Sequence, residues 1–345
     1  MKVGILGAGN ISETHARAAG SIPGVEVVAV HGTNRQKAEK LAREAGGTPY
    51  ADVARFLAHR PMDIVAIGSP SGVHAEHAIA AVRKGFHVLV EKPLDIMTSR
   101  IDELIREVDR AEVKAGVFFQ DRLKPDVADI KAIVETGRLG TPVLASGRVK
   151  WYRPPEYYSG SRWRGTWALD GGGALMNQGI HTVDLLAWLF GPVAQVSARV
   201  ATRRHAIEVE DTAVAVLEFA SGALGTIEAS TAIYPGYLRR VELTGANGTL
   251  VLEGDRLVSA DLLDATGAQK AEPGSAADRQ GAQSAASPVV SDASAHRRVF
   301  EDFIRAIETD GTPACDAREG RRSVAIVEAI YESARTRRPV DLPSA

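Results

Sequence analysis

Met1-Lys2-Val3-Gly4-Ile5-Leu6-Gly7-Ala8-Gly9-Asn10-Ile11-Ser12 opens the chain. Val3 to Leu6 reads as a buried strand, Gly7 to Gly9 as a glycine turn, and Ile11 to Ala19 as an amphipathic helix. The first glycine of Gly-x-Gly-x-x-small permits the tight turn. The second lets the backbone approach a pyrophosphate at the helix N-terminus, and Ser12, small in place of a third glycine, still allows close packing. Such a turn alone serves geometry as often as ligands. Followed by a regular strand–helix series it points to a dinucleotide site, with Gly7, Gly9, Asn10 and Ile11 against the cofactor.

Working outward, short apolar runs recur at Val25 to Val30, Asp63 to Gly68, His87 to Val90 and Gly116 to Phe119. Helical patterns lie between them at Gln36 to Ala45, Val73 to Arg83 and Arg100 to Arg110. That alternation predicts a parallel sheet covered on both faces, an α/β Rossmann domain over residues 1–122. Beyond it the rhythm changes. Pro125 to Glu135 reads as a helix, Pro142 to Trp151 as a long strand, and Leu175 to Phe190 as a helix. Alternating segments follow at 193–203, 212–220, 223–231, 238–244 and 249–252, with turn signals at Ala220-Ser221-Gly222-Ala223 and Ala246-Asn247-Gly248. Residues 123–345 therefore predict a C-terminal α+β domain with a large open, mainly antiparallel sheet, for substrate binding and oligomerisation. Residues 264–294, poor in large apolar groups, read as a surface loop, and helices return at His296 to Glu308 and Glu319 to Ala334.

The 345 residues carry 41 Lys and Arg against 43 Asp and Glu, a net charge of −2. So even a balance gives no basic footprint for nucleic acid and no polybasic membrane anchor. The single cysteine, Cys315, has no disulfide partner in the chain. No charged-then-apolar leader and no apolar run of membrane-spanning length is evident, so a cytoplasmic protein is expected. His74 and His77 are three apart on a helix without a third ligand, and no metal is expected.

The second strand runs into Gly32-Thr33-Asn34-Arg35-Gln36-Lys37. A domain built for NAD usually places a carboxylate here for the ribose 2′-hydroxyl. Gly32 occupies that position, Thr33 and Asn34 can donate hydrogen bonds, and Arg35 or Lys37 can pair with a 2′-phosphate. NADP(H) is favoured as cofactor, with NAD(H) as the alternative. The bland reading is a solvated helix start.

Two further stretches lie at strand ends, where open α/β sheets bind ligands. They are Ile67-Gly68-Ser69-Pro70-Ser71-Gly72-Val73-His74 and Val88-Leu89-Val90-Glu91-Lys92-Pro93-Leu94. Together with Gly171-Gly172-Gly173-Ala174-Leu175-Met176-Asn177-Gln178-Gly179-Ile180-His181-Thr182-Val183-Asp184, the Glu-Lys-Pro tripeptide resembles the Gfo/Idh/MocA family over nearly the whole chain. The resemblance implies an NAD(P)-dependent oxidoreductase of a sugar, polyol or sugar derivative. It implies Lys92 as catalytic lysine, His181 as catalytic histidine and Asp184 as the acidic residue one turn on. Asn177 stands where inositol dehydrogenases often carry Asp and where the branch acting on nucleotide-linked N-acetyl sugars carries Asn. It cannot accept a proton as Asp does. Ser69, Pro70, His74, Glu91, Lys92 and Gln120 are expected along the cofactor, His74 as a helix cap near the nicotinamide ribose. Lys92-Pro93 is a place for a cis peptide that aims the lysine into the cleft.

The chemistry agrees independently. Oxidising a secondary alcohol needs hydride departure to nicotinamide C4 and removal of the hydroxyl proton. A neutral imidazole is a suitable base, and a lysine ammonium stabilises the developing alkoxide. Asn177, His181 and Asp184, spaced by four and three, share one side of a regular helix.

Trp151 to Trp167 holds six of the eleven Trp and Tyr residues and three arginines. Aromatics stack on sugar faces and arginine clamps hydroxyls, carboxylates or phosphates, which marks Tyr152, Arg153, Tyr157, Trp163 and Arg164 as substrate candidates. A subunit interface has the same composition. Gln120 and Arg122 read either as cofactor and substrate contacts or as a hinge ion pair. A dehydrogenase is expected, with the sugar between nicotinamide and the second-domain sheet, as a homodimer or homotetramer. The alternatives are a redox-neutral NAD-dependent glycosidase and a non-catalytic nucleotide sensor.

Overall fold

The protein is described here by a computed structural model that covers residues 1–263, 269–272 and 292–343. The chain divides into two compact units, Met1–Gln120 with Val289–Arg321, and Asp121–Pro288 with Arg322–Ala345.

In the first unit, six strands form one parallel sheet: β1 Lys2–Leu6, β2 Glu26–His31, β3 Thr48–Tyr50, β4 Ile64–Ile67, β5 His87–Val90 and β6 Ala115–Val117. Their order is β3-β2-β1-β4-β5-β6, so the chain reverses direction across the sheet between β1 and β4. Every residue of β4 is buried, as a strand covered on both faces requires. The covering helices are α1 Asn10–Gly20, α2 Arg35–Ala45, α3 Val53–Leu57, α4 His74–Val82 and α5 Thr98–Ala111. The short pieces β3 and α3 carry too little periodicity to be read from sequence.

A later helix, α9 (Ser294–Glu308), belongs to this unit and packs on α1. Its apolar stripe supplies the reason. Val299, Phe300 and Phe303 are buried, and Phe300 meets Phe118 edge-on at 5.4 Å between ring centres.

The second unit is built on nine strands: β7 Pro142–Lys150, β8 Val193–Ala201, β9 Thr212–Phe219, β10 Leu224–Ser230, β11 Arg240–Gly245, β12 Gly248–Glu253, β13 Arg256–Leu263, β14 Gln269–Glu272 and β15 Val340–Asp341. Their order is β14-β13-β12-β11-β7-β10-β9-β8-β15. All neighbours are antiparallel except β7 and β10, which run parallel at the centre. The sheet is therefore mixed, because β7 enters between two hairpins that come later in the chain, β9–β10 and β11–β12. Burial alternates strictly along β9, leaving Val214 and Val216 half exposed on the open face. Of the loop expected at 264–294, residues 269–272 instead pair with β13 as a strand. Residues 264–268 and 273–291 lie outside the described residues.

Among the described residues, four helices serve the second unit: α6 Pro125–Glu135, the single turn α7 Glu156–Ser159, α8 Ile180–Phe190, and most of α10 Ala317–Thr336. The expected helix from Leu175 begins as a π-helical stretch, Ala174–Gly179, before α8 takes over. No helix among the described residues is long and apolar enough to cross a membrane.

Candidate active site

Five strand ends of the first unit carry the expected nucleotide residues along one edge of the sheet. After β1, Gly7 holds φ +131°, and a Cβ there would stand 2.5 Å from Ser12 Oγ, so the turn requires glycine. Gly9 caps α1 with no side-chain hydrogen bond, so no side chain competes for the first-turn N–H groups. Those groups lie where the strand order reverses between β1 and β4, the place where open α/β sheets bind anionic ligands. After β2, Gly32 is buried and Thr33 to Lys37 are exposed. Asn34 accepts the Lys37 N–H and so caps α2, while Arg35 pairs with Glu39 at 2.7 Å.

After β4 and β5 come Ser69, Pro70, Glu91 and Lys92. The Lys92–Pro93 peptide is cis. His74 does not cap α4: its Nδ1 faces Pro93 O at 2.7 Å and its Nε2 faces Ser69 O at 2.8 Å. The ring is buried and tied to backbone carbonyls on both sides. The neighbouring His77 binds Ser69 Oγ, and burial drives its imidazole down to about 4. Glu91 is buried with His15 and His296, three potential ligand atoms within 4.8 Å of one another. Gln120 opens the short helical turn after β6.

In the second unit, Asn177 lies in the π-helical stretch and His181 and Asp184 in α8. Asn177 Nδ2 donates to Asp170 Oδ1 at 2.6 Å, and its Oδ1 accepts from Gln178 at 3.2 Å. His181 Nδ1 lies 3.7 Å from Asp121 Oδ2. Asp184 is fully buried and accepts both Arg122 Nε at 2.8 Å and Arg122 Nη2 at 2.6 Å, with Ser323 Oγ at 2.9 Å. Arg122, itself buried, lies over the Trp188 ring. Of the two readings of Arg122, the geometry matches the ion pair.

Asp121 is a residue the sequence reading passed over. Burial opposes its ionisation, but Arg239, Lys124 and His181 outweigh that and hold its carboxyl well below the usual carboxylate range. A fixed anion thus faces His181 Nδ1, which favours the imidazolium after proton uptake.

The glycine run before this helix is pinned by Glu210. Its carboxylate accepts Gly173 N–H at 2.9 Å, Leu175 N–H at 2.8 Å and Tyr331 O–H at 3.0 Å. A Cβ on Gly173 would stand 1.8 Å from the Glu210 carbonyl oxygen, so only glycine allows this approach. Burial dominates at Glu210 and pushes its carboxyl from 4.5 up to about 7 against those hydrogen bonds. The folded state then holds the proton more tightly than the unfolded chain. Its contribution is full below 4.5 and is lost as pH rises towards about 7. Urea midpoints should fall across that interval, and Glu210→Gln should remove this part of the fall. An unchanged slope in the variant would contradict the assignment.

Beside the run sits the aromatic–arginine cluster. Arg153 is buried over Trp151 and Tyr157, and Arg164 lies over Tyr157 and Trp163. Tyr157 Oη accepts Gln178 Nε2 at 3.0 Å, and burial raises its phenol. Tyr152 stands apart, edge-on to Tyr234 and accepting from Arg204.

Residues 1–119 match the sequence model described as oxidoreductase family, NAD-binding Rossmann fold, and residues 127–251 match that of the GFO/IDH/MocA C-terminal domain. Inositol 2-dehydrogenase of Acidothermus cellulolyticus is 30% identical over 74% of each chain. D-apiose dehydrogenase of Paraburkholderia graminis is 27% identical over 99% of this chain and 90% of its own. Among solved structures, the WlbA dehydrogenase from Bordetella pertussis, in complex with NADH and UDP-GlcNAcA, is 32% identical over 100% of this chain and 99% of its own, with a TM-score of 0.85. With the doubly matched sequence, the reversal point at β1 and β4 and the mixed second sheet, the chain belongs to the GFO/IDH/MocA family of oxidoreductases.

Proposed function

We propose that the protein is an NAD(P)-dependent dehydrogenase of a sugar, polyol or sugar derivative. The observation that carries this is His181, a helix histidine facing a buried, permanently ionised Asp121, in a chain that also has the Glu91-Lys92-Pro93 strand end. Bound nicotinamide supplies the hydride acceptor or donor. His181 takes the hydroxyl proton on oxidation and returns it on reduction, and Asp121 stabilises the imidazolium meanwhile. Lys92 polarises the substrate oxygen. Asn177, held by Asp170, and the Tyr157–Arg164 pair orient the substrate, whereas Asp184 acts through the scaffold. The first turn of α1 would hold the pyrophosphate, and the chain end after β2 the adenosine ribose.

Among sugar classes, two arginine side chains over aromatic rings and the relationship to WlbA favour a nucleotide-linked sugar acid. The test is nicotinamide absorbance change with NADP⁺ and NAD⁺ across free sugars, inositols, sugar acids and nucleotide sugars. Turnover lost in Lys92→Ala supports the proposal. Sugar release without cofactor turnover would replace it with the redox-neutral glycosidase.

For the 2′-phosphate, Arg35 is the candidate partner, in competition with Glu39. Arg35→Ala should raise KM for NADP⁺ about tenfold, the scale of one charge-assisted hydrogen bond, and leave NAD⁺ nearly unchanged. Equal effects on both cofactors would argue for NAD⁺ instead. The half-exposed Val143, Leu144, Val214, Val216 and Leu224 of the second sheet support self-association as a homodimer or homotetramer, read by light scattering.

A further inference from the structure

We propose that His15, Glu91 and His296 form a buried device that fixes Lys92, a positioning role that rests on Lys92 acting on the substrate oxygen. The three residues come from α1, the end of β5 and α9, far apart in sequence. Glu91 Oε1 lies 3.0 Å from His15 Nε2 and 3.4 Å from His296 Nε2. Its other oxygen, Oε2, accepts the backbone N–H of Lys92 at 3.1 Å. One carboxylate therefore joins two remote helices to the peptide that carries the lysine.

A carboxylate in the core is strongly destabilising unless good donors hydrogen-bond to it. Burial opposes ionisation of Glu91, but hydrogen bonds from His15 and His296 outweigh it and hold the carboxyl well below its usual range. Burial also lowers His15, which keeps that ring neutral and donating through Nε2. The donors are themselves immobilised. His15 stacks on Phe118 at 4.2 Å between ring centres and 14° between planes, and the His296 ring packs beside the same phenylalanine. On the far side of Lys92, the His74 ring is tied to Pro93 O. The backbone on both sides of the lysine is thus anchored.

The same three atoms have the spacing of a metal site. A metal-bound imidazole nearly always donates its second N–H to an acceptor. Neither His15 Nδ1 nor His296 Nδ1 has a partner among the described residues. The geometry therefore fits two imidazoles donating to one carboxylate better than a metal centre.

The test compares His296→Leu, which removes a donor, with His296→Gln, which keeps an N–H at similar reach, and with the near-isosteric Glu91→Gln. A reacting group displaced by about 1 Å loses about a hundredfold, so His296→Leu should lower kcat about 10- to 100-fold. KM and NADH binding by fluorescence should stay nearly constant, and His296→Gln should recover most of kcat. A second readout needs no turnover: the acetylation rate of Lys92 against exposed Lys40, followed by peptide mass spectrometry across pH. His296→Leu and Glu91→Gln should change the Lys92 rate about threefold or more, the scale of a shift of half a pKa unit, and His296→Gln should not. Unchanged Lys92 acetylation in both variants overturns the proposal, as does one bound transition metal per chain by elemental analysis. A wild-type protein inert across the substrate panel would refute the dehydrogenase reading, and the acetylation comparison would still decide the positioning role.

Discussion

His181→Ala is expected to lower turnover by about 10²- to 10⁴-fold, the range for loss of a positioned general acid–base group. The ring sits in the first turn of α8, its side chain 13% exposed and its Nδ1 facing Asp121 at 3.7 Å. Asp121 is held ionised by Arg239 and Lys124, so it remains an anion throughout the working pH range. Removing the ring takes away the proton acceptor but leaves α1 and its glycine turn untouched. Nucleotide binding, read by NADH fluorescence, should therefore stay within about twofold while kcat collapses. Lys92→Ala should behave alike for a different reason, loss of charge stabilisation at the substrate oxygen, worth about 3–4 kcal/mol for one oxyanion donor. Asp121→Asn should fall between wild type and His181→Ala, since the imidazolium loses its counter-charge but the base remains. Full activity in His181→Ala would end the assignment.

Asp184→Asn should unfold the protein more readily by about 3–5 kcal/mol, the scale for breaking a buried ion pair from one side. The carboxylate is fully buried, with two charge-assisted bonds from Arg122 and one from Ser323. The substitution strands the Arg122 guanidinium, itself almost fully buried under Trp188. Arg122→Met with Asp184→Leu removes both charges and should recover most of the loss, because an apolar pair of similar volume has no desolvation penalty. Urea unfolding of the two singles and the double gives the coupling directly. A stable Asp184→Asn with weakened substrate binding would return Asp184 to the substrate.

What could be read from sequence was local. Gly7 follows a strand and precedes a helix within ten residues, so its φ and its role are written in one short stretch. The strand ends at Ser69, Lys92 and Gln120 were legible for the same reason. The partners that give the site its character were not, because they are distant. Asp121 meets Arg239 across 118 positions, and Glu210 meets Tyr331 across 121. Nothing in Ala174–Gly179 announces the π turn that stands in place of the first part of the expected helix. The parallel contact of β7 with β10 was hidden too, because hairpin signals report only sequential neighbours.

The return of α9 to the first unit sets an order on biosynthesis. A ribosome that has made residues 1–120 has delivered every strand of the parallel sheet but not Phe300, Phe303 or His296. The nascent nucleotide unit emerges with the α1 surface uncovered and Glu91 short of one donor. It must wait for residues 121–293, most of the second unit, to be translated before it can close, so the two units cannot mature strictly one after the other. A gene fragment ending after β6 would for the same reason yield an aggregation-prone product rather than a miniature nucleotide-binding protein.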